Sequence, residues 1–311
     1  MALELAAILA FVTALSFGAN ALIVKVGMSE VREQSGVSPS FTAAFVSITT
    51  SAVIFVVVTI GFGVPVEAIT LRAVAPFLVA GVLYPAMFRL FYFRGIDVVG
   101  ASIAAALVAA NPAVAAIVAV PILGEQVTVV TAVGIAFIVG GGAVLQASQG
   151  PDGEATDRIV RELRQASPRE LLFPVAAAVS VGVGYVLIKF GLDGFPHPPA
   201  ATAITQLAGL FAFGALLVTS HERRSAFRTT LAHRRPLAIF ILAGGIVATG
   251  WLAQFFALQL GTVVVVIPLV NTFPLVVVAG TYLMARELPR SRAVILGIAA
   301  IVIGATIIQA F

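Results

Sequence analysis

Long apolar stretches recur along this chain, and short polar breaks separate them. Segments free of Asp, Glu, Lys and Arg run over residues 5–24, 98–124, 126–151, 171–188, 194–221 and 293–311, and another lies within 34–66. Crossing a hydrocarbon core of about 30 Å takes about 20 helical residues, at a rise of about 1.5 Å each. The longest run, fifty residues from Pro236 to Ala285, is too long for one crossing. It predicts two helices with a turn at Leu260, Gly261 and Thr262. Residues 73–95 form a further span that is apolar apart from Arg89 and Arg94. Such spans have to be helical, because a lone strand in lipid leaves its backbone groups unsatisfied. The pattern therefore predicts helices near 4–26, 41–62, 74–95, 100–122, 127–147, 171–191, 199–219, 236–257, 262–284 and 292–310.

The sizeable polar connections are 148–170, turn-rich and then charged, and 220–235. The first divides the chain into halves, 1–147 and 171–311, that resemble each other. The run from Ser16 to Gly27 (SFGANALIVKVG) aligns with Ser180 to Gly191 (SVGVGYVLIKFG), and Phe77–Gly81 (FLVAG) aligns with Phe240–Gly244 (FILAG). Glu125 and the stretch from Gly134 align with Glu287 and the stretch from Gly297, all in one order and at nearly one offset. Five helices per repeat is an odd number, so the second repeat enters the membrane in the opposite sense. The expected fold is an all-α polytopic membrane protein, ten transmembrane helices as two inverted five-helix repeats, an architecture common among secondary transporters.

Composition agrees: 60% of the residues are hydrophobic and 10% charged, too little polar surface for a water-soluble domain. With no cysteine, thiol catalysis, disulfides and cysteine metal sites are excluded. The apolar run at the N-terminus has no basic region before it and reads as a first span rather than a cleaved signal. Basic residues flank spans instead of forming a nucleic-acid patch. The connections after helices 1, 3, 5, 7 and 9 carry 1, 1, 4, 5 and 3 arginines, whereas those after even helices carry only Arg72. By the positive-inside rule the odd connections are cytoplasmic and both termini lie outside.

The stretch Phe91 to Ser102 (FYFRGIDVVGAS), then Asn111 and Pro112, then Leu123, Gly124 and Glu125, resembles the drug/metabolite transporter superfamily, in its EamA-type ten-helix branch. A weaker second copy is Gly261, Phe273 with Pro274, and Arg286 with Glu287. The resemblance spans essentially the whole chain. It implies solute transport by alternating access, with helices 1, 3, 4, 6, 8 and 9 around a cavity between the halves. It also implies cytoplasmic termini, against the charge count.

Arg89 lies inside the third span among Met87, Phe88, Leu90 and Phe91. At that depth a cation costs at least a few kcal/mol unless it finds water or a partner. It either faces the cavity, where it would attract a carboxylate or phosphate, or snorkels to the interface beside Arg94. Lys25 and Lys189 occupy equivalent repeat positions at helix ends, where lysines commonly snorkel. Glu125 closes helix 4 and is either an interfacial structural group or a titrating coupling group. Amides inside spans seek partners and bridge helices or line a pathway. Asn20, Asn111, Gln254 and Asn271, with Tyr185, are the solute-contact candidates beside Arg89; Gln206 and Gln259 are further in-span amides. Pro112 and Pro274 interrupt helices 4 and 9 at corresponding places, which points to a site near the midplane. Trp251 shares a face with Gln254, either stacking on solute or packed.

Gly134 with Gly140, Gly141 and Gly142, and Gly297 with Gly304, offer close-contact surfaces that join the repeats or form a dimer. His197, His221 and His233 lie in connections or at their edges, and no metal-ligand pair, Ser/His dyad or phosphate loop appears within the spans. The expectation is thus a non-enzymatic secondary transporter without cofactor or metal, monomeric or homodimeric, moving small polar metabolites such as amino acids by export or exchange. The rival is a membrane receptor or assembly subunit without transport activity.

Overall fold

The computed structural model describes residues 2–35, 40–63, 66–147, 167–285 and 292–310. Within them ten helices are long and apolar enough to cross a membrane, and no strand occurs. They are α1 (Ala2–Val31), α2 (Ser40–Phe62), α3 (Leu71–Val99), α4 (Ala101–Leu123), α5 (Val129–Gln146), α6 (Pro168–Gly194), α7 (Pro198–Val218), α8 (Arg234–Leu260), α9 (Val263–Leu283) and α10 (Arg292–Ala310). The turn in the fifty-residue run falls where expected, between Leu260 and Val263. Two boundaries move for local reasons. The first helix continues to Ser35, past the end of its apolar run. The sixth starts at Pro168 because Ser167 caps it, its N–H donating to the Glu170 carboxylate at 2.8 Å in a capping box. Linker residues 148–166, together with Arg286 and Glu287, lie outside the described residues.

Lipid reverses the usual rule for surfaces. Large apolar side chains such as Ile8, Val57, Phe211 and Leu296 are exposed, while alanines fill much of the interior. Small residues let backbones approach where side chains cannot drive association. The α5/α10 pair is the clearest case. A Cβ on Gly304 would stand 2.6 Å from the Gly134 carbonyl oxygen, and one on Gly141 2.6 Å from that of Gly297. These glycines therefore bring the two halves into close contact within one chain.

Three of the spans are irregular at mid-membrane. In α3, Val82–Met87 forms a π turn around Pro85, and the Phe88 N–H reaches back to the Leu83 carbonyl. Span α4 is two helices, Ala101–Val108 and Asn111–Leu123, and α9 is likewise Val263–Val270 and Phe273–Ala285. Every boundary in the second pair lies 162 positions after its counterpart in the first. Each restarted half carries proline in its first turn, a position proline tolerates, where its fixed φ suits a helix start.

Candidate solute cavity

The breaks in α4 and α9 bring Asn111 and Asn271 together across the repeats. Asn111 Nδ2 donates to Asn271 Oδ1 at 3.0 Å, and Asn271 Nδ2 returns a bond to Asn111 Oδ1 at 3.3 Å. Each amide also donates to its own chain, Asn111 to Val108 O at 3.0 Å and Asn271 to Ile267 O at 2.9 Å. Val108 O is the carbonyl that Pro112, lacking an N–H, cannot bond. The pair thus repairs a helix break and ties the halves at once. Removing one partner leaves a buried amide unsatisfied, a cost of about 1–3 kcal/mol. Asn111→Leu is expected to lower stability by about that much, and Asn111→Leu with Asn271→Leu by less than the sum of the two single changes. Thermal unfolding in detergent would show this; strict additivity would mean that the amides act independently.

Beside this pair lies a cavity of about 460 Å³. Spans α1, α3, α4, α6, α8 and α9 line it as expected, and α2, α7 and Gln146 at the end of α5 also contribute. Its wall runs from the helix midpoints out to Met28, Ser40, Phe93 and Gln146, where α1, α3 and α5 finish and α2 starts. Toward the opposite end an aromatic cluster closes the cavity. Phe77 sits 6.0 Å from Phe195 and 6.4 Å from Phe255 between ring centres, and none of the three is more than 1% exposed. At that end Glu125 accepts the Val263 N–H at 2.8 Å and the Val264 N–H at 2.9 Å. These donors have no partner inside α9, and a carboxylate there also meets the positive end of the helix dipole.

Arg89 lines the cavity and does not snorkel away from it. Its Nη1 donates to the Pro85 carbonyl at 3.0 Å, within the π turn, and its Cζ lies 5.8 Å from the centre of the Phe213 ring. Among the described residues no carboxylate pairs with it. Span α7 sets this geometry: Gly209 admits Pro85 at a distance no Cβ would allow, with Gln206 and Phe213 on the same face. Asn20 lines the cavity with its Oδ1 buried and unpartnered. Tyr185 also lines it, its hydroxyl donating to that of Tyr84 at 3.2 Å.

Other candidates lie elsewhere. Gln254 is fully buried behind the cavity wall, close to Tyr185 but short of hydrogen-bond geometry. Lys25 is exposed, and Lys189 is spent on Asp193 at 2.7 Å. Gln259 donates to Pro196 O at 3.1 Å, away from the cavity. Sequence reasoning passed over Phe17, Tyr84, Phe88 and Tyr92 as site residues, although all line the wall, as does the in-span amide Gln206. Tyr84, Phe88 and Tyr92 follow one another at four-residue steps around Arg89, a periodicity that could have marked them as one face.

A broken-helix pair around a central cavity defines a polytopic transporter fold. The EamA-like transporter family matches residues 4–146 and again 169–309. The chain belongs to this family and is a membrane transporter of the drug/metabolite superfamily. One crystal structure of a protein superimposes with a TM-score of 0.71 at 18% identity, covering 98% of each chain, a likeness of fold. No curated protein matches the chain.

Proposed function

We propose that the protein is a secondary transporter that carries small carboxylate-bearing metabolites, amino acids or organic acids, by alternating access, working in export or exchange. The observation that carries this reading is Arg89, a cation with no counter-ion among the described residues, in a cavity closed at one end. A guanidinium inside a span is expensive once water leaves it unless it is paired, so an arginine kept there awaits a negative group that comes and goes. Arg89, Asn20 and Tyr185 face the solute, Asn111 and Asn271 present their shared amide pair, and Gln254 supports Tyr185 from behind. Inversion of the repeats gives the mechanism its logic, since matching breaks in α4 and α9 offer two ways to close the cavity, related by a pseudo-two-fold axis in the membrane plane. By the arginine count the mouth faces the cytoplasm of a cell membrane.

Counterflow in proteoliposomes tests the reading, with a panel of amino acids and organic acids as trapped solutes. Saturable accumulation of at least one carboxylate-bearing solute, absent from protein-free vesicles, is expected. No movement of any solute by correctly folded protein would favour the non-transporting rival instead.

A further inference from the structure

Among the described residues that line the cavity there is one charge, the Arg89 guanidinium, and no carboxylate. Arg89 spends one bond on Pro85 O, and a guanidinium has five N–H groups. A second donor is idle there: Gln206 Nε2 is buried without a partner, in a residue 1% exposed on the α7 face that carries Gly209 and Phe213. Much of the remaining wall is aromatic. Phe88 and Tyr92 stack at 5.5 Å with 17° between their planes, and Tyr84 stands 4.8 Å from Trp251. Phe88, Tyr92 and Tyr84 are each partly exposed and line the space, so part of their ring surface is presented to it.

This inventory discriminates between solutes. A planar ring would find aromatic faces to stack on, and its carboxylate would find a bidentate fork. An organic cation would meet Arg89 with no carboxylate to offset either charge. A phosphate dianion would leave one negative charge over, and a zwitterion would leave its ammonium with only rings, amides and hydroxyls. Only a monoanion brings the cavity to neutrality. Neutrality matters at the moment of occlusion, because closing the mouth removes water from Arg89, and an unpaired guanidinium resists that.

We propose that the cavity takes an aromatic monocarboxylate, and that its charge is what permits closure over Arg89, so that the transporter exchanges one carboxylate for another and reorients slowly when empty. This rests on the alternating-access reading above. It adds to it a solute class, set by Arg89 and the aromatic wall together, and narrows the transport mode to exchange.

The test uses the full chain in proteoliposomes and four solutes built on one phenyl ring: hippurate (monoanion), phenylalanine (zwitterion), phenyl phosphate (dianion) and phenyltrimethylammonium (cation). Labelled hippurate should enter vesicles preloaded with hippurate at least tenfold faster than empty ones, and the other three should compete at least tenfold less well. Arg89→Lys should keep exchange. Arg89→Gln should lose it at least tenfold, yet admit neutral hippuramide into empty and preloaded vesicles at equal rates. Equal filling of empty and preloaded vesicles by the wild type, or preference for phenylalanine or the cation, would overturn the proposal while leaving transport standing. Should Arg89→Gln fail to fold, judged by its elution and melting, the wild-type preload ratio and competition series still decide. Inertness toward these four and toward the wider panel would instead defeat the transport reading itself.

Discussion

Replacing Glu125 by alanine is expected to raise the reactivity of a cysteine placed at Leu258 by roughly 30- to 1,000-fold. Leu258 is fully buried near the packed end, and cysteine is smaller than leucine, so the probe adds no clash. The chain has no cysteine of its own, so a maleimide reads that one position. The magnitude comes from two backbone N–H bonds to a carboxylate, at about 1.5–3 kcal/mol each. Partial exposure of the site reduces their sum to about 2–4 kcal/mol, which converts to that range at about 1.4 kcal/mol per factor of ten. The bonds bridge the end of α4 in the first half and the start of α9 in the second, so their loss weakens closure at the packed end. Glu125→Gln keeps one oxygen acceptor and should fall between. The competing role is proton coupling. If Glu125→Gln abolishes the pH dependence of exchange while labelling at Leu258 stays at the wild-type rate, Glu125 is the coupling group and not a latch.

Glu125 also shows where reading the sequence stops. Its position at the end of a span was legible, because charges mark the limits of apolar runs. Its partners were not, since they are backbone N–H groups 138 and 139 residues away, which carry no side-chain signature. The amides behave similarly. Asn111, Asn271 and Gln254 look alike as polar residues in apolar helices, yet the first two bind each other and the third lies behind Tyr185. Only the crossing of helices separates these outcomes. The breaks in α4 and α9 were legible because proline removes a donor wherever it sits. The ten spans were legible because lipid demands length and apolarity from every crossing. Arg89 stood out for the same reason, as the one charge well inside a span. What placed it in the cavity was the π turn and the close approach of Gly209 to Pro85, both invisible in the order of residues.

The sharpest contrast is between neighbours in the run Gly140, Gly141, Gly142. Gly141→Leu is expected to lower the melting temperature by about 10 °C or more, and Gly140→Leu to change it by little. A Cβ at Gly141 would lie 2.6 Å from the Gly297 carbonyl oxygen, 2.8 Å from Ile301 Cγ1 and 3.0 Å from Ala300 Cβ. Backbone cannot swing aside as a long side chain can, so α10 has to move away from α5. Overpacking costs about 1–3 kcal/mol, and more where the obstacle is main chain. For a chain of this size each kcal/mol shifts melting by about 2–4 °C. At Gly140 a Cβ meets nothing within 4 Å, so a leucine there points into lipid. Lipid tolerates leucine, and leucine is a better helix former than glycine by up to about 1 kcal/mol. Melting of the two variants in one detergent, each normalised to wild type, measures the difference. Equal effects would mean that the α5/α10 contact does not hold the halves together; a larger loss at Gly140, with a change in oligomer size, would place the tight contact between two copies of the chain instead.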